Sequence, residues 1–255
     1  MQTDELFDRL DEELSIEDYA GVDASANGLQ VGTTAGSTER VAFAVDGVLA
    51  TIEAAAEWNA DALIVHHGLS WGGIERITGR THDRIAALVE NGIDLYVAHL
   101  PLDGHQSFGN AAGLADLLDM GNRAPFGTLG PVTIGQQGWL RQPMGRGELR
   151  STLEDELDHG GAGVDVLDFG PETIETAAIV TGSGTDWLDD AAAADVDAFI
   201  TGEGKGKLYH MARESGVNVF LGGHYATETF GVESLADLVA EWGPETTVIG
   251  EPTGL

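Results

Sequence analysis

Two adjacent histidines stand at the end of a short apolar run, a position where side chains that do chemistry are common. His66 and His67 follow the run 62–65 and are followed directly by Gly68. The run is short and contains β-branched residues, which predicts a buried strand. Neutral imidazole is the commonest protein ligand for divalent metals, so paired imidazoles at a strand end predict a metal site.

The next predicted strand, residues 94–99, also ends in a ligand-type residue. It closes with His99, and Asp103 follows four residues later. Pro101 lies between them and predicts a loop rather than a helix. Such a loop can fold back over the strand end, so that an imidazole and a carboxylate reach one place.

A third predicted strand, residues 217–221, leads through two glycines to His224 and Glu228. If a helix begins near His224, these two side chains stand at i and i+4, on one face and about one turn apart. An imidazole and a carboxylate at this spacing can bind the same ion. Because functional groups in open α/β sheets cluster beyond the carboxyl ends of the parallel strands, the three strand ends predict a shared metal site.

Structural roles stay open for each of these residues taken alone. A single strand-end histidine is more often a hydrogen-bonded structural residue than a ligand. His224 and Glu228 could form a helix-cap pair, and Asp103 could be a loop acid in an acidic chain. The pair His66 and His67 is harder to explain in this way, because two neighbouring imidazoles would each need a separate partner.

Lys205 and Lys207 are the only lysines in the chain, and both lie in the Gly-rich segment 201–207. One interpretation is an anion- or phosphate-binding contact at a strand-to-helix junction. The other is two surface residues that happen to fall together.

An alternation of strands and helices supplies the strand ends and predicts an α/β fold. We expect two related α/β halves, near residues 40–120 and 175–250, with largely parallel or mixed sheets flanked by helices and the metal site between the halves at strand C-terminal ends. The lobes are predicted as 1–125 and 126–255, interlocked enough to count as one domain. The stretch 121–147 is predicted to be irregular, apart from one antiparallel or edge strand at 132–140.

Composition narrows the function further. The chain has 43 acidic and 12 basic residues, a formal net charge of −31, so direct binding to nucleic acid or to an anionic membrane is not expected. We interpret this net charge as an adaptation of the protein to high salt. Molar salt shortens the Debye length to about 3 Å and screens self-repulsion across an acidic surface. No apolar run is long enough for a transmembrane helix and no secretory signal is evident, so we expect a cytoplasmic protein. The chain lacks cysteine, so any metal must be held by His, Asp and Glu.

Five motifs in this order resemble one known family. The chain is similar to the NGG-interacting-factor-three-like proteins, dinuclear metal-centre proteins often labelled GTP cyclohydrolase type 2 homologues, over nearly its whole length. It departs from the family's usual pattern at Gly68 and at Leu100-Pro101, which affects the mouth of the site but removes no ligand. The motifs are Asn27-Gly28-Leu29-Gln30-Val31-Gly32, His66-His67, His99 with Asp103, Thr201-Gly202-Glu203, and Gly223-His224-Tyr225-Ala226-Thr227-Glu228.

The resemblance implies two divalent metal ions per chain. It places one ion on His67, Asp103 and Glu228 and the other on His66, His224 and Glu228, with the sharing left open. The metal could be Zn, Mn, Fe, Co or Ni, since nitrogen and oxygen ligands do not select among them. The resemblance also implies a ring-shaped homohexamer, a trimer of dimers.

The resulting hypothesis is a metal-dependent hydrolase of a small molecule, with a nucleotide-like, phosphorylated or cyclic amide substrate as candidates. Two bound divalent ions can activate water and clamp the reacting oxygens. His99 or Glu203 could orient ligands or act as general base, and Lys205 and Lys207 could offset substrate charge. A non-catalytic protein that stores, delivers or inserts metal remains the alternative, as does a regulatory scaffold.

Overall fold

The computed structural model describes residues 1–255 as alternating helices and strands. None of the helices is long and apolar enough to cross a membrane. The strands are β1 Gly28–Val31, β2 Arg40–Asp46, β3 Ala62–His67, β4 Asp94–Val97, β5 Met120–Leu129, β6 Val132–Gly145, β7 Asp165–Asp168, β8 Thr173–Ile179, β9 Ala198–Thr201, β10 Asn218–Leu221 and β11 Glu245–Val248. The helices are α1 Thr3–Glu13, α2 Ile16–Tyr19, α3 Leu49–Glu57, α4 Arg80–Asn91, α5 Leu100–Gly104, α6 Asn110–Leu117, α7 Arg146–Glu156, α8 Leu188–Ala193, α9 Leu208–Ser215, α10 His224–Thr227 and α11 Thr229–Glu241.

The chain divides into two compact units. Unit 1 comprises Met1–Leu102 and Gly231–Glu251. Its five-stranded sheet has the order β1-β4-β3-β2-β11, in which β1 is antiparallel to β4 and the other neighbours are parallel. Ile52 of α3 and Leu88 of α4 are fully buried in one core with the apolar residues of β2, β3 and β4. The near-continuous apolar character of β3 follows from this burial, because helices cover a parallel sheet.

Unit 2 comprises Asp103–Phe230 and Pro252–Leu255. Its six-stranded sheet has the order β5-β6-β8-β9-β10-β7, with β8, β9 and β10 parallel and the remaining pairs antiparallel. Leu114 of α6 and Leu149 of α7 are fully buried against Ile179 and Ile200 of the sheet. Two of the predicted site residues follow the carboxyl ends of its parallel strands: Glu203 comes after β9 and His224 comes after β10.

The predicted α/β class, with two mixed sheets flanked by helices, is confirmed. The stretch 121–147 is not irregular, however, because β5 and β6 form a long antiparallel hairpin there. Pro125 lies within β5, an edge strand that pairs only with β6. Since β5 has no second neighbouring strand, the missing backbone N–H of Pro125 is tolerated there. The glycine and proline content of this stretch therefore led to a wrong prediction for β5.

The prediction of a loop around Pro101 is wrong. The short helix α5 begins at Leu100, and Pro101 is its second residue. In the first turn of a helix the missing N–H of proline has no intrahelical partner to lose, so the residue fits there.

The observed units also have different bounds from the predicted lobes 1–125 and 126–255. The last helix and strand, α11 and β11, belong to unit 1, because β11 pairs with β2 in parallel.

Candidate functional site

The histidine pair ends β3 in unit 1, as the sequence predicts. His66 is fully buried, and its Nδ1 donates a hydrogen bond of 2.9 Å to the carbonyl of Ala98, just beyond the neighbouring strand β4. A carbonyl oxygen can only accept, so the proton of the neutral ring is on Nδ1. The lone pair of His66 is then on Nε2, the form that a metal requires.

His67 has a carboxylate partner across the sheet. Strand register places Asp46, the last residue of β2, opposite His67. The Nδ1 of His67 donates to Asp46 Oδ1 at 2.9 Å. A carboxylate behind a metal-binding imidazole fixes the tautomer, orients the ring and raises its basicity as a ligand.

His99 is held by a buried carboxylate from a loop far away in the sequence. Its Nδ1 donates to Asp23 Oδ1 at 2.9 Å, and the Asp23 side chain is 1% exposed. The backbone N–H of His99 donates to Asn27 Oδ1 at 2.7 Å. Burial raises the pKa of Asp23, but hydrogen bonds and the charge of His99 outweigh it and bring that pKa below its ordinary value.

These three imidazoles form a candidate metal-binding group. Ligand atoms of His66, His67 and His99 all lie within 4.8 Å of one another. Each ring has its Nδ1 on a fixed acceptor, so each presents Nε2 as the donor atom. The donor set therefore fits a divalent ion of the Zn, Mn, Fe, Co or Ni type, and His99 lies among candidate ligands rather than apart from them.

The Asn27–Gln30 motif supports both strand ends of this group. While Asn27 caps the backbone at His99, Gln30 Oε1 accepts hydrogen bonds from the backbone N–H of Leu69 (2.8 Å) and Ser70 (3.3 Å). A Cβ at Gly68 would lie 2.7 Å from the Gln30 amide and 2.5 Å from a Val97 methyl. Gly68 thus makes room for the amide that holds the segment after the histidine pair.

Unit 2 holds a second group, built around His224. Glu228 Oε1 lies 3.3 Å from His224 Nε2, and Glu203 Oε1 lies 3.3 Å from His224 Nδ1. Helix α10 begins at His224 as predicted, and Glu228 is the residue between α10 and α11. Burial lowers the pKa of His224, but the hydrogen bonds and charges of Glu228 and Glu203 outweigh it and raise that pKa to about 9.

Small residues allow the strand ends of unit 2 to approach this imidazole. The backbone N–H groups of Gly202 and Glu203 both donate to the carbonyl of Gly182 at 2.9 Å. A Cβ at Gly202 would lie 2.7 Å from the Cα of His224, and a Cβ at Gly182 would lie 2.1 Å from Glu228 Oε1. The Thr201-Gly202-Glu203 motif therefore places the Glu203 carboxylate beside the imidazole.

Asp103 lies at the boundary of unit 2, in α5. It is 7% exposed and accepts hydrogen bonds from Asn110 Nδ2 at 2.8 Å and Thr181 Oγ1 at 3.1 Å. These two donors position the carboxylate, and a carboxylate oxygen is a ligand type that divalent cations accept.

The two lysines share one partner. The Nζ of Lys205 lies 2.6 Å from Asp186 Oδ2, and the Nζ of Lys207 lies 2.5 Å from Asp186 Oδ1. Hydrogen bonds from both lysines lower the pKa of Asp186 to about 2. A carboxylate of the chain thus occupies the position between the ammonium groups that an external anion would take.

The predicted site residues fall into two groups, one in each unit. Sequence reasoning did not find the residues that orient them, which are Asp23, Asp46, Asn27 and Gln30. Asp46 ends the strand β2 next to β3, and the two amides belong to the Asn27–Gln30 motif noted in the sequence. Asp23 had no signal in the sequence. The predicted members are His66, His67 and His99 in unit 1, and Asp103, Glu203, His224 and Glu228, with Lys205 and Lys207, in unit 2.

Fold and site together define a class: α/β proteins that carry His, Asp and Glu groups able to bind metal at the carboxyl ends of their strands. Residues 1–251 match the Duf34/NIF3 (NGG1p interacting factor 3) family, and the chain belongs to this family.

Relatives and solved structures agree along the whole chain. A GTP cyclohydrolase 1 type 2 homolog of Halobacterium salinarum is 53% identical over 255 residues, covering 100% of both chains. A protein of the same name from Archaeoglobus fulgidus is 42% identical, covering 96% of each chain. Among solved structures, the protein ybgI, described as of unknown function, has a TM-score of 0.91 at 34% identity, and TTHA1606 of Thermus thermophilus has 0.89 at 38%; each comparison covers 100% of both chains.

Proposed function

We propose that the protein is a dinuclear metal-dependent hydrolase of a small molecule. The ligands are those predicted from the sequence, and His99 and Glu203 assist them. The observation that carries the proposal is the fixed state of the imidazoles. The Nδ1 atoms of His66, His67 and His99 have carbonyl or carboxylate acceptors at 2.9 Å. Purely structural histidines have no need for one common tautomer.

Neither group supplies enough ligands for two ions by itself. Unit 1 offers three imidazoles, whereas unit 2 offers one imidazole with the carboxylates of Asp103 and Glu228. We propose His66, His67, Asp103, His224 and Glu228 as the ligands of two ions, which is the ligand set that the family resemblance implies. When bound, such ions activate water and polarise the bond to be cleaved.

The remaining residues have separable roles. Glu203 lies 3.3 Å from His224 Nδ1 and is proposed as a positioning residue for that imidazole. His99 has its Nδ1–H on Asp23 and its lone pair on Nε2, which suits it to accept a proton from substrate or water. We propose Lys205 and Lys207 as an anion contact in which Asp186 competes with the ligand; Asp186→Asn should therefore tighten binding of inorganic phosphate, measured by calorimetry.

One experiment tests the function and its alternative. Metal per chain and hydrolysis of a panel of phosphoesters, nucleotides and cyclic amides are measured in molar salt for the wild type, for Glu228→Gln and for Glu214→Gln as an exposed control. Two ions per chain, with turnover that disappears only in Glu228→Gln, support the hydrolase. Two ions without turnover support metal storage or delivery instead. Fewer than one ion per chain after loading with Zn, Mn or Fe contradicts both.

We also propose that the protein assembles as a homohexamer and works in molar salt. The support is the family resemblance for the first and the net charge of −31 for the second. Light scattering in molar KCl should give six times the chain mass of 26.7 kDa. Full retention of the fold in salt-free buffer with chelator would contradict the halophilic interpretation.

A further inference from the structure

Trp71 lies beside the imidazole group of unit 1 and is partly open to solvent. Its side chain follows the histidine pair by four residues and is 47% exposed. The indole centroid is 4.8 Å from the ring of His99, at 80° to it, and 6.0 Å from the ring of His67. A large aromatic surface therefore stands next to two candidate metal ligands.

Hydrogen bonds to the backbone hold this tryptophan in place. Trp71 forms an antiparallel bridge with Ser25. On either side of it, the N–H of Ala26 donates to the carbonyl of Ser70 at 3.2 Å, and the N–H of Gly72 donates to the carbonyl of Ala24 at 2.7 Å. The indole is therefore exposed on a fixed segment, and a ligand that binds it does not pay to order a loop.

Most other tryptophans of the chain have an evident partner within the protein. Arg40 stacks on Trp58 at 4.0 Å, Arg9 stacks on Trp242 at 4.1 Å, and the indole N–H of Trp187 donates to the carbonyl of Thr128. No cation stacks on Trp71, and its N–H makes no hydrogen bond to the protein.

The space next to Trp71 is open. Gly72 and Gly73 follow it with φ of +71° and +107°, conformations that favour glycine and turn the chain sharply. A Cβ placed on either glycine would meet nothing within 4 Å. These glycines therefore place no side chain in the space beside Trp71, and the indole itself is 47% exposed.

We propose that Trp71 is the stacking platform for a flat nitrogen heterocycle of purine-like size, whose edge points to the imidazole group. This inference rests on the proposed metal site and names the class of its substrate. Because the indole centroid is 4.8 Å from the ring of His99, a ring that binds to the exposed part of the indole lies beside the imidazole group. Stacking needs no charge on the ligand, which matters for a chain of net charge −31 that repels phosphates.

The test is a binding measurement with guanosine, an uncharged nucleoside, and glucose as a non-aromatic ring. Calorimetry in molar salt on the zinc-loaded full chain compares the wild type with Trp71→Ala, Trp71→Phe and the control Trp139→Ala, whose indole is 62% exposed in unit 2. We expect guanosine affinity to fall about 5- to 150-fold in Trp71→Ala, as for loss of one base–aromatic stack. Trp71→Phe should stay within about threefold of wild type, Trp139→Ala should match it, and zinc per chain should not change.

Several outcomes would overturn the inference. These are equal guanosine affinity in the wild type and Trp71→Ala, no guanosine binding by the wild type, and glucose binding that depends equally on Trp71. Loss of zinc from Trp71→Ala would show that the indole only covers the metal. A changed assembly mass with unchanged guanosine affinity would show an interface between copies. Guanosine binding through Trp71 without hydrolysis of any substrate would refute the proposed function and leave the stacking site standing.

Discussion

Replacing Asp23 with asparagine should destabilise the protein strongly, because one buried carboxylate accepts four hydrogen bonds. The donors are the backbone N–H of Ser25 (2.8 Å) and Leu100 (3.0 Å), Nδ2 of Asn27 (2.8 Å) and Nδ1 of His99 (2.9 Å). An asparagine keeps one acceptor oxygen and turns an NH₂ group toward the other two donors. Two hydrogen bonds to a charged acceptor are lost, at about 1.5–3 kcal/mol each, so we expect a loss of about 3–6 kcal/mol.

The assay is thermal unfolding in molar KCl with a chelator, so that metal binding does not contribute. At about 2–4 °C per kcal/mol for a chain of this size, Asp23→Asn should lower Tm by about 6–24 °C. Asp83→Asn is the matched control, because Asp83 also pairs with an imidazole Nδ1, that of His82, but both side chains are 62% exposed. Such exposed pairs are worth little, so the control should change Tm by at most about 2 °C.

The pH dependence gives a second check. The pKa of Asp23 is lowered from its ordinary 3.8, so the stability that this carboxylate contributes is complete above about pH 4 and is lost as pH falls through the folded-state pKa. The difference between wild type and Asp23→Asn should therefore be constant from neutral pH down to about 4 and shrink below it. A Tm for Asp23→Asn within about 2 °C of the control at neutral pH would refute the reasoning.

Three further predictions concern the metal groups. Asp46→Asn should weaken metal binding about 10- to 100-fold through His67, measured by chelator competition, while Asp83→Asn leaves it unchanged; a loss under threefold contradicts the orienting role. His224 has a pKa raised to about 9 and must release its proton to bind metal. The apparent metal affinity should therefore rise about tenfold per pH unit from pH 7 toward pH 9 and then level off. Calorimetry in buffers of different ionisation enthalpy should detect about one proton released per metal bound to His224 at pH 7. Gly68→Ala should cost about 2–4 kcal/mol by displacing the amide beneath it, and unchanged denaturant unfolding would contradict that packing.

The histidine pair of the candidate metal group could be singled out from the sequence because histidine is rare in this chain. Only eight histidines occur, so two side by side at a strand end are informative. Asp23 and Asp46 are two of 43 acidic residues, and nothing in their local sequence separates a buried acceptor from a solvated surface acid. Their role depends on contacts such as the one between Asp23 and His99, 76 positions apart, which only the folded chain brings about.

The fold class was predictable, since alternating apolar runs and helical patterns specify an α/β protein. Within the hairpin, the strand predicted at 132–140 is part of β6, whereas β5 was not predicted, because it is rich in glycine and polar residues and lies at an edge of the sheet. The bounds of the units were also hidden, since parallel pairing of β11 with β2 joins residues some 200 positions apart and leaves no local trace. The local sequence pattern therefore predicts the individual strands and helices but not which distant strands pair.

The extreme acidity of the chain also bears on why its candidate site relies on histidine. Surface carboxylates in molar salt are surrounded by monovalent cations, and their attraction to a divalent ion is screened over about 3 Å. A neutral imidazole binds through a coordinate bond that such screening hardly affects, provided that its lone pair is on the correct nitrogen. Acceptors on Nδ1 of His66, His67 and His99 meet this condition, and the carboxylates of Asp103 and Glu228 are buried away from bulk ions, at 7% and 2% exposure. Metal affinity at either of these groups should therefore depend much less on salt than affinity at exposed carboxylates.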